Sequence, residues 1–127
     1  MDRSWQYSKT IPVSDHFDVV ICGGGPAGIG AAVAAAENGA KTALIERFGF
    51  LGGMATAGYV APMSEFAFDG RRVIGGIPWR FVQELEAASG AQVEKPRCNV
   101  SFDPEKYKLV AWRMVVRAAE EDGRAHV

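Results

Sequence analysis

The chain has 127 residues, 48% of them hydrophobic and 23% charged, the balance of an ordinary globular protein with a core to bury. Lys and Arg number 14 against 15 Asp and Glu, a net charge of −1, which argues against the basic surface that nucleic-acid binding needs. The longest small and apolar run, Ala27 to Ala36, is too short and too Ala/Gly-rich to cross a bilayer, and the first residues lack the apolar stretch of a secretory signal.

Residues 1–16 are mixed and polar and are expected to form a lead-in tail. Phe17 to Cys22 (FDVVIC) is a short apolar run ending at Gly23-Gly24-Gly25, the pattern of a strand buried on both faces of a parallel sheet. Pro26 to Asn38 is rich in alanine, the best helix former. Pro26 suits a first turn, and Gly39 suits the left-handed residue that ends a helix. Lys41 to Glu46 (KTALIE) reads as a second strand, so residues 17–46 make a βαβ unit with a right-handed crossover.

Residues 47–58 form a glycine-rich loop, and Tyr59 to Met63 are expected to form a short strand. Arg71-Arg72 after Asp69-Gly70 reads as a turn with solvated charges. Gly75-Gly76 opens a helix over 76–89, with Trp79, Phe81 and Leu85 on its buried face. Ala91 to Phe102 looks irregular. Asp103-Pro104-Glu105 is a strong helix start, giving a helix over 104–122 with Leu109, Trp112, Val116 and Ala119 on one face. Trp112 and Met114 are read as packing around it. Ala125 to Val127 resemble the start of another strand, which suggests a chain cut short.

The chemistry is concentrated in Gly23-Gly24-Gly25-Pro26-Ala27-Gly28, a G-x-G-x-x-G turn between strand and helix. Gly23 permits the tight turn, Gly25 lets the backbone approach a pyrophosphate, and Gly28 lets the helix pack closely on the strand. Phosphate oxygens would meet unbonded N–H groups and the positive end of the helix dipole. Glu46 ends the second strand eighteen residues after Gly28, near the spacing of the acid that accepts hydrogen bonds from an adenosine ribose. Its charge disfavours a ribose 2′-phosphate. These features predict a dinucleotide, FAD or NAD, in an α/β Rossmann-like domain.

Downstream of the acid, Arg47 is followed by Gly52-Gly53-Met54, Thr56 and Gly58. Here the sequence resembles the FAD-dependent oxidoreductases related to the succinate dehydrogenase and fumarate reductase flavoproteins. Within that group it is most similar to the bacterial family typified by an ERxxxxGGMxTxG stretch. The DVVICGGGPAG turn, Glu46-Arg47, the Gly52-Gly53-Met54 segment and Asp103-Pro104-Glu105 with Lys108 carry the resemblance, which runs from about Phe17 to the end. The resemblance implies that FAD contacts come from Gly52, Gly53, Met54 and Ala55, with Thr56 to Gly58 nearer the isoalloxazine. The loop lacks the histidine to which related flavoproteins attach flavin, so non-covalent FAD is expected. It also lacks the cysteine pair of the disulfide reductases, so thiol–disulfide chemistry is not expected.

Cys22 is expected to be packed in its strand, and Cys22 and Cys98 make no disulfide or metal framework. His16 and His126 have no evident partner, so no metal site and no catalytic residue are assigned. The overall expectation is the FAD-binding front of an oxidoreductase acting on a small-molecule substrate in a reducing, cytoplasmic setting. A C-terminal half or partner chain would complete it. Three other readings stay open: an NAD-binding dehydrogenase domain, a non-catalytic nucleotide-binding module, and a thiazole-biosynthesis-like protein that uses the nucleotide as substrate.

Overall fold

A computed structural model describes residues 3–122. β1 (Val19–Cys22), α1 (Pro26–Glu37) and β2 (Thr42–Ile45) form the expected βαβ unit. β1 and β2 pair in parallel, with Val19 opposite Thr42 and Cys22 opposite Ile45. Pro26 opens α1, and the chain leaves it through Gly39 at φ +81°, whose N–H donates to the Ala36 carbonyl at 2.8 Å. The expected glycine exit from the helix is therefore present.

The strands are not buried on both faces. Ile21 and Leu44 turn toward α1 and the core, whereas Val20 is 52% exposed, Ile45 57% exposed and Cys22 also exposed. The cause is topological: among the described residues α1 alone packs as a helix on this two-stranded sheet, so Val20, Cys22 and Ile45 on its opposite face meet solvent, although Ala43 there is buried. Cys22 is thus a surface thiol rather than a packed one.

After the glycine loop come β3 (Pro62–Met63), β4 (Ala67–Phe68) and β5 (Arg71–Arg72). The expected strand over 59–63 is confined to its last two residues. β4 and β5 form a tight hairpin across Asp69-Gly70, both at positive φ (47° and 69°), the geometry that the Asp-Gly pair favours. Arg72 lays its guanidinium over the Trp79 ring, 4.6 Å from the centroid. α2 runs Gly76–Ala87, and its Phe81, Val82 and Leu85 are buried as its apolar pattern demands.

Residues 91–102 are regular, contrary to expectation. β6 (Ala91–Glu94) and β7 (Asn99–Phe102) form an antiparallel hairpin, and β3 adds to β7's other edge. Each strand has only four residues. That is too few for alternation to stand out, yet Val93, Val100 and Phe102 supply an inward face against α2 and Phe66.

α3 (Pro104–Asp122) begins as predicted, with Asp103 Oδ1 accepting the N–H groups of Glu105 (2.8 Å) and Lys106 (3.3 Å). Its buried face is only partly the expected one, with Ala119 buried and Val116 half-buried. Tyr107, Val110, Ala111, Met114, Val115, Ala118 and Ala119 face α1 and α2, while Leu109 and Trp112 are 44% and 50% exposed. Both sets have helical spacing and both are apolar, so periodicity alone cannot choose between them; the two partner helices do. Val33, Leu85 and Met114 lie at the centre of the main core, each side chain contributing roughly 1.5–3 kcal/mol by its burial. The expected strand at 125–127 lies outside the described residues. Among those described, no helix is long and apolar enough to cross a membrane.

Candidate functional site

Three chain segments meet at the N-terminal end of α1: the Gly23–Gly28 turn, the end of β2 at Glu46, and the Gly52–Ala55 turn. Gly23 leaves β1 at φ +106°, a backbone state that L side chains rarely adopt, and its N–H donates to the Ile45 carbonyl at 2.8 Å. Gly28 is forced by packing. A Cβ there would stand 1.8 Å from the Gly23 carbonyl oxygen and 3.4 Å from Ile21 Cγ2. The close helix–strand approach assigned to it is therefore present.

Gly25 behaves differently. It flanks α1 in an extended conformation (φ −71°, ψ −178°), and a Cβ built on it would meet no atom within 4 Å. No side chain caps this helix, and its first turn holds no acidic residue. The Gly25 carbonyl accepts the Ile29 N–H at 2.9 Å, so the earlier N–H groups, at Ala27 and Gly28, have no intrahelical acceptor. Pro26 has no N–H to satisfy. Open space, uncapped amides and the positive helix end coincide at one spot. This is the donor set that suits a pyrophosphate.

Glu46 is held at the edge of this cradle. Its Oε2 accepts the Gly24 N–H at 2.7 Å and its Oε1 the Phe48 N–H at 2.9 Å. The Phe48 and Gly24 amides, in that order, together with Arg47, hold its carboxyl below the ordinary 4.5. An ionised carboxylate has about four acceptor positions, so two backbone donors leave room for ribose hydroxyls. Arg47 is exposed and stacks its guanidinium over Phe48, 4.6 Å from the ring centroid.

The second glycine pair docks on the first. Gly52 N–H donates to the Gly24 carbonyl at 2.8 Å, and a Cβ on Gly53 would lie 3.1 Å from Gly25 Cα. Gly52 and Gly53 both have positive φ (118° and 51°), so the loop turns sharply where the two backbones meet. Leu51 is buried beneath Gly24; a Cβ on Gly24 would strike its Cδ2 at 2.4 Å. This loop-on-loop contact and the role of Leu51 carry no signal in the sequence, because they join residues far apart in the chain.

The proposed contact residues divide by exposure. Met54 is 65% exposed beside the cradle, whereas Ala55 is buried. Thr56 is fully buried, and its hydroxyl donates to the Leu51 carbonyl at 2.9 Å. The Thr56 side chain thus ties the loop together and faces inward. Among the described residues, no group of three or more His, Cys, Asp or Glu is placed to hold a metal ion.

The chain is similar to several known flavin-family proteins. The dihydrolipoyl dehydrogenase of Trypanosoma brucei brucei is 47% identical over 47 residues, covering 37% of this chain and 10% of that protein. The mitochondrial dihydrolipoyl dehydrogenase of Pisum sativum is 60% identical over 40 residues, covering 32% and 8%. A glutathione reductase of Schizosaccharomyces pombe is 52% identical over 42 residues, covering 33% and 9%. Among solved structures, THI4 of Thermovibrio ammonificans matches with a TM-score of 0.51 at 25% identity, over 80% of this chain and 36% of that one. The chain thus spans about a tenth of the length of these curated relatives. The FAD dependent oxidoreductase family matches residues 18–126, and the chain belongs to that family.

Proposed function

We propose that this chain binds FAD non-covalently and forms the nucleotide-binding part of an oxidoreductase acting on a small-molecule substrate. The observation that carries the proposal is the open Gly25 backbone at the uncapped end of α1, bordered by the anchored Glu46 carboxylate. Family membership supports FAD over NAD. In this reading the Ala27 and Gly28 amides and the Gly52–Gly53 backbone hold the pyrophosphate, Glu46 accepts from the adenosine ribose, and exposed Met54 borders the remainder of the cofactor.

When bound, FAD supplies acceptance of a hydride or of electrons. The chain's own part is positional. The helix end orients the phosphates, Glu46 fixes the ribose and disfavours a 2′-phosphate, and the Thr56–Leu51 bond holds the loop in register. The proposed kinship with the fumarate reductase and succinate dehydrogenase flavoproteins rests on the same glycine and acid positions. The test is titration of the chain with FAD and with NAD, followed by flavin fluorescence and equilibrium dialysis. Saturable FAD binding that excess NAD fails to displace supports the reading; preference for NAD contradicts it.

A further inference from the structure

A second feature lies beside the cradle and has no part in holding a nucleotide there. Pro26, Ile29 and Gly30 of α1, Met63 of β3, Phe66, Ile77 and Phe81 line a cavity of about 210 Å³, which Pro78 and Tyr107 complete. A cavity of about 150 Å³ walled by apolar side chains accommodates benzene, so this one accepts a six-membered ring with a short substituent.

Two observations indicate that the space is meant for an occupant. The first is Gly30. Glycine inside a helix is disfavoured relative to alanine, and α1 uses alanine at six of its twelve positions. Packing does not require the exception, because a Cβ on Gly30 would meet no atom within 4 Å. Gly28, two residues earlier, has the opposite property and cannot carry a Cβ at all. The second observation is Tyr107. It is 3% exposed and is the only residue of the cavity wall with a polar side chain. Its hydroxyl makes no hydrogen bond among the described residues. Burial pushes this phenol up to about 12, so it stays a neutral O–H donor at ordinary pH. The hydroxyl oxygen is not among the fully buried unpartnered atoms, so its donor is accessible and open to an incoming acceptor.

We propose that this cavity binds the ring of a neutral small-molecule substrate carrying one hydrogen-bond acceptor, such as a carbonyl, which takes the Tyr107 O–H, and that Gly30 keeps the space open. The wall presents no charged side chain, which disfavours an ionic ligand. The proposal deepens the oxidoreductase reading by naming a substrate class and rests on it only for the word substrate.

The test uses the whole chain labelled with ¹³C at its methionine methyls, so that Met63 reports the cavity and Met54 the nucleotide cradle. The probes are acetophenone and its near-isostere cumene, which lacks the carbonyl. Saturable shifts of Met63, with acetophenone bound roughly tenfold tighter than cumene, are expected, the usual worth of one buried hydrogen bond. Tyr107→Phe should abolish that preference while cumene still binds. Gly30→Leu should remove binding of both probes without lowering Tm, since leucine is a better helix former than glycine. No saturable Met63 shift in the wild type, equal binding after Gly30→Leu, or displacement of acetophenone by FAD would each overturn the proposal. A failure of FAD to move Met54 would instead count against the nucleotide reading and leave the Met63 result standing.

Discussion

The backbone N–H of Gly24 donates to Oε2 of Glu46 at 2.7 Å, joining the glycine turn after β1 to the acid at the end of β2. The bond fixes the carboxylate at the lip of the cradle before any ribose arrives. Glu46 therefore combines a structural task with the recognition task proposed for it. Glu46→Gln keeps an acceptor for Gly24 but loses the charge. FAD affinity should fall by roughly tenfold, in keeping with hydrogen bonds to charged acceptors. Unchanged affinity in a fluorescence titration would remove Glu46 from the ribose site.

The same contacts give a pH dependence. The folded-state pKa of Glu46 is depressed, chiefly by the Phe48 and Gly24 amides, so its stabilising contribution is present above the ordinary value of 4.5. It is lost as pH falls through the lower folded value. The amide proton shifts of Gly24 and Phe48 should titrate together with a common midpoint below pH 4.5. A midpoint at or above that value would contradict the assignment.

Thr56 provides a test of the loop. Thr56→Val preserves shape but removes the donor to the Leu51 carbonyl, and should cost about 1–3 kcal/mol in urea unfolding. Thr56→Ser should restore most of that loss. If valine is as stable as threonine, the hydroxyl is not what holds the loop.

At α3, Asp103→Ala removes the acceptor for the Glu105 and Lys106 amides. The expected cost is about 1 kcal/mol, read as a lower urea midpoint with unchanged slope, and Asp103→Asn should recover most of it.

What could be read in the sequence was local. The turn at Gly23, the exit at Gly39 and the start of α3 at Asp103 follow from residues within a few places of each other, and Glu46 from its spacing after the glycine turn. What could not be read depends on partners distant in the chain. The β6–β7 hairpin is defined by packing against α2 and Phe66. The buried face of α3 is chosen by α1 and α2, and the exposure of Cys22 follows from a sheet face with no layer over it among the described residues. The docking of Gly52 on Gly24 belongs to the same class: composition marks both loops as glycine-rich, but only the folded backbone brings them together.

Gly25 and Gly28 separate binding from folding, because an added side chain finds open space at the first and a carbonyl oxygen at 1.8 Å at the second. Gly28→Val should destabilise the fold by about 1–3 kcal/mol through overpacking. Its retention of wild-type stability would refute the close-packing role.

Whether the phosphates of FAD lie against the Gly25 turn is tested by FAD titration of Gly25→Val beside the wild type, with urea unfolding of both. The variant should stay folded, losing no more than about 1–2 kcal/mol through the replaced glycine N-cap of α1, and should lose FAD binding. A Gly25→Val protein that binds FAD as tightly as the wild type would show that the phosphates do not lie against this turn.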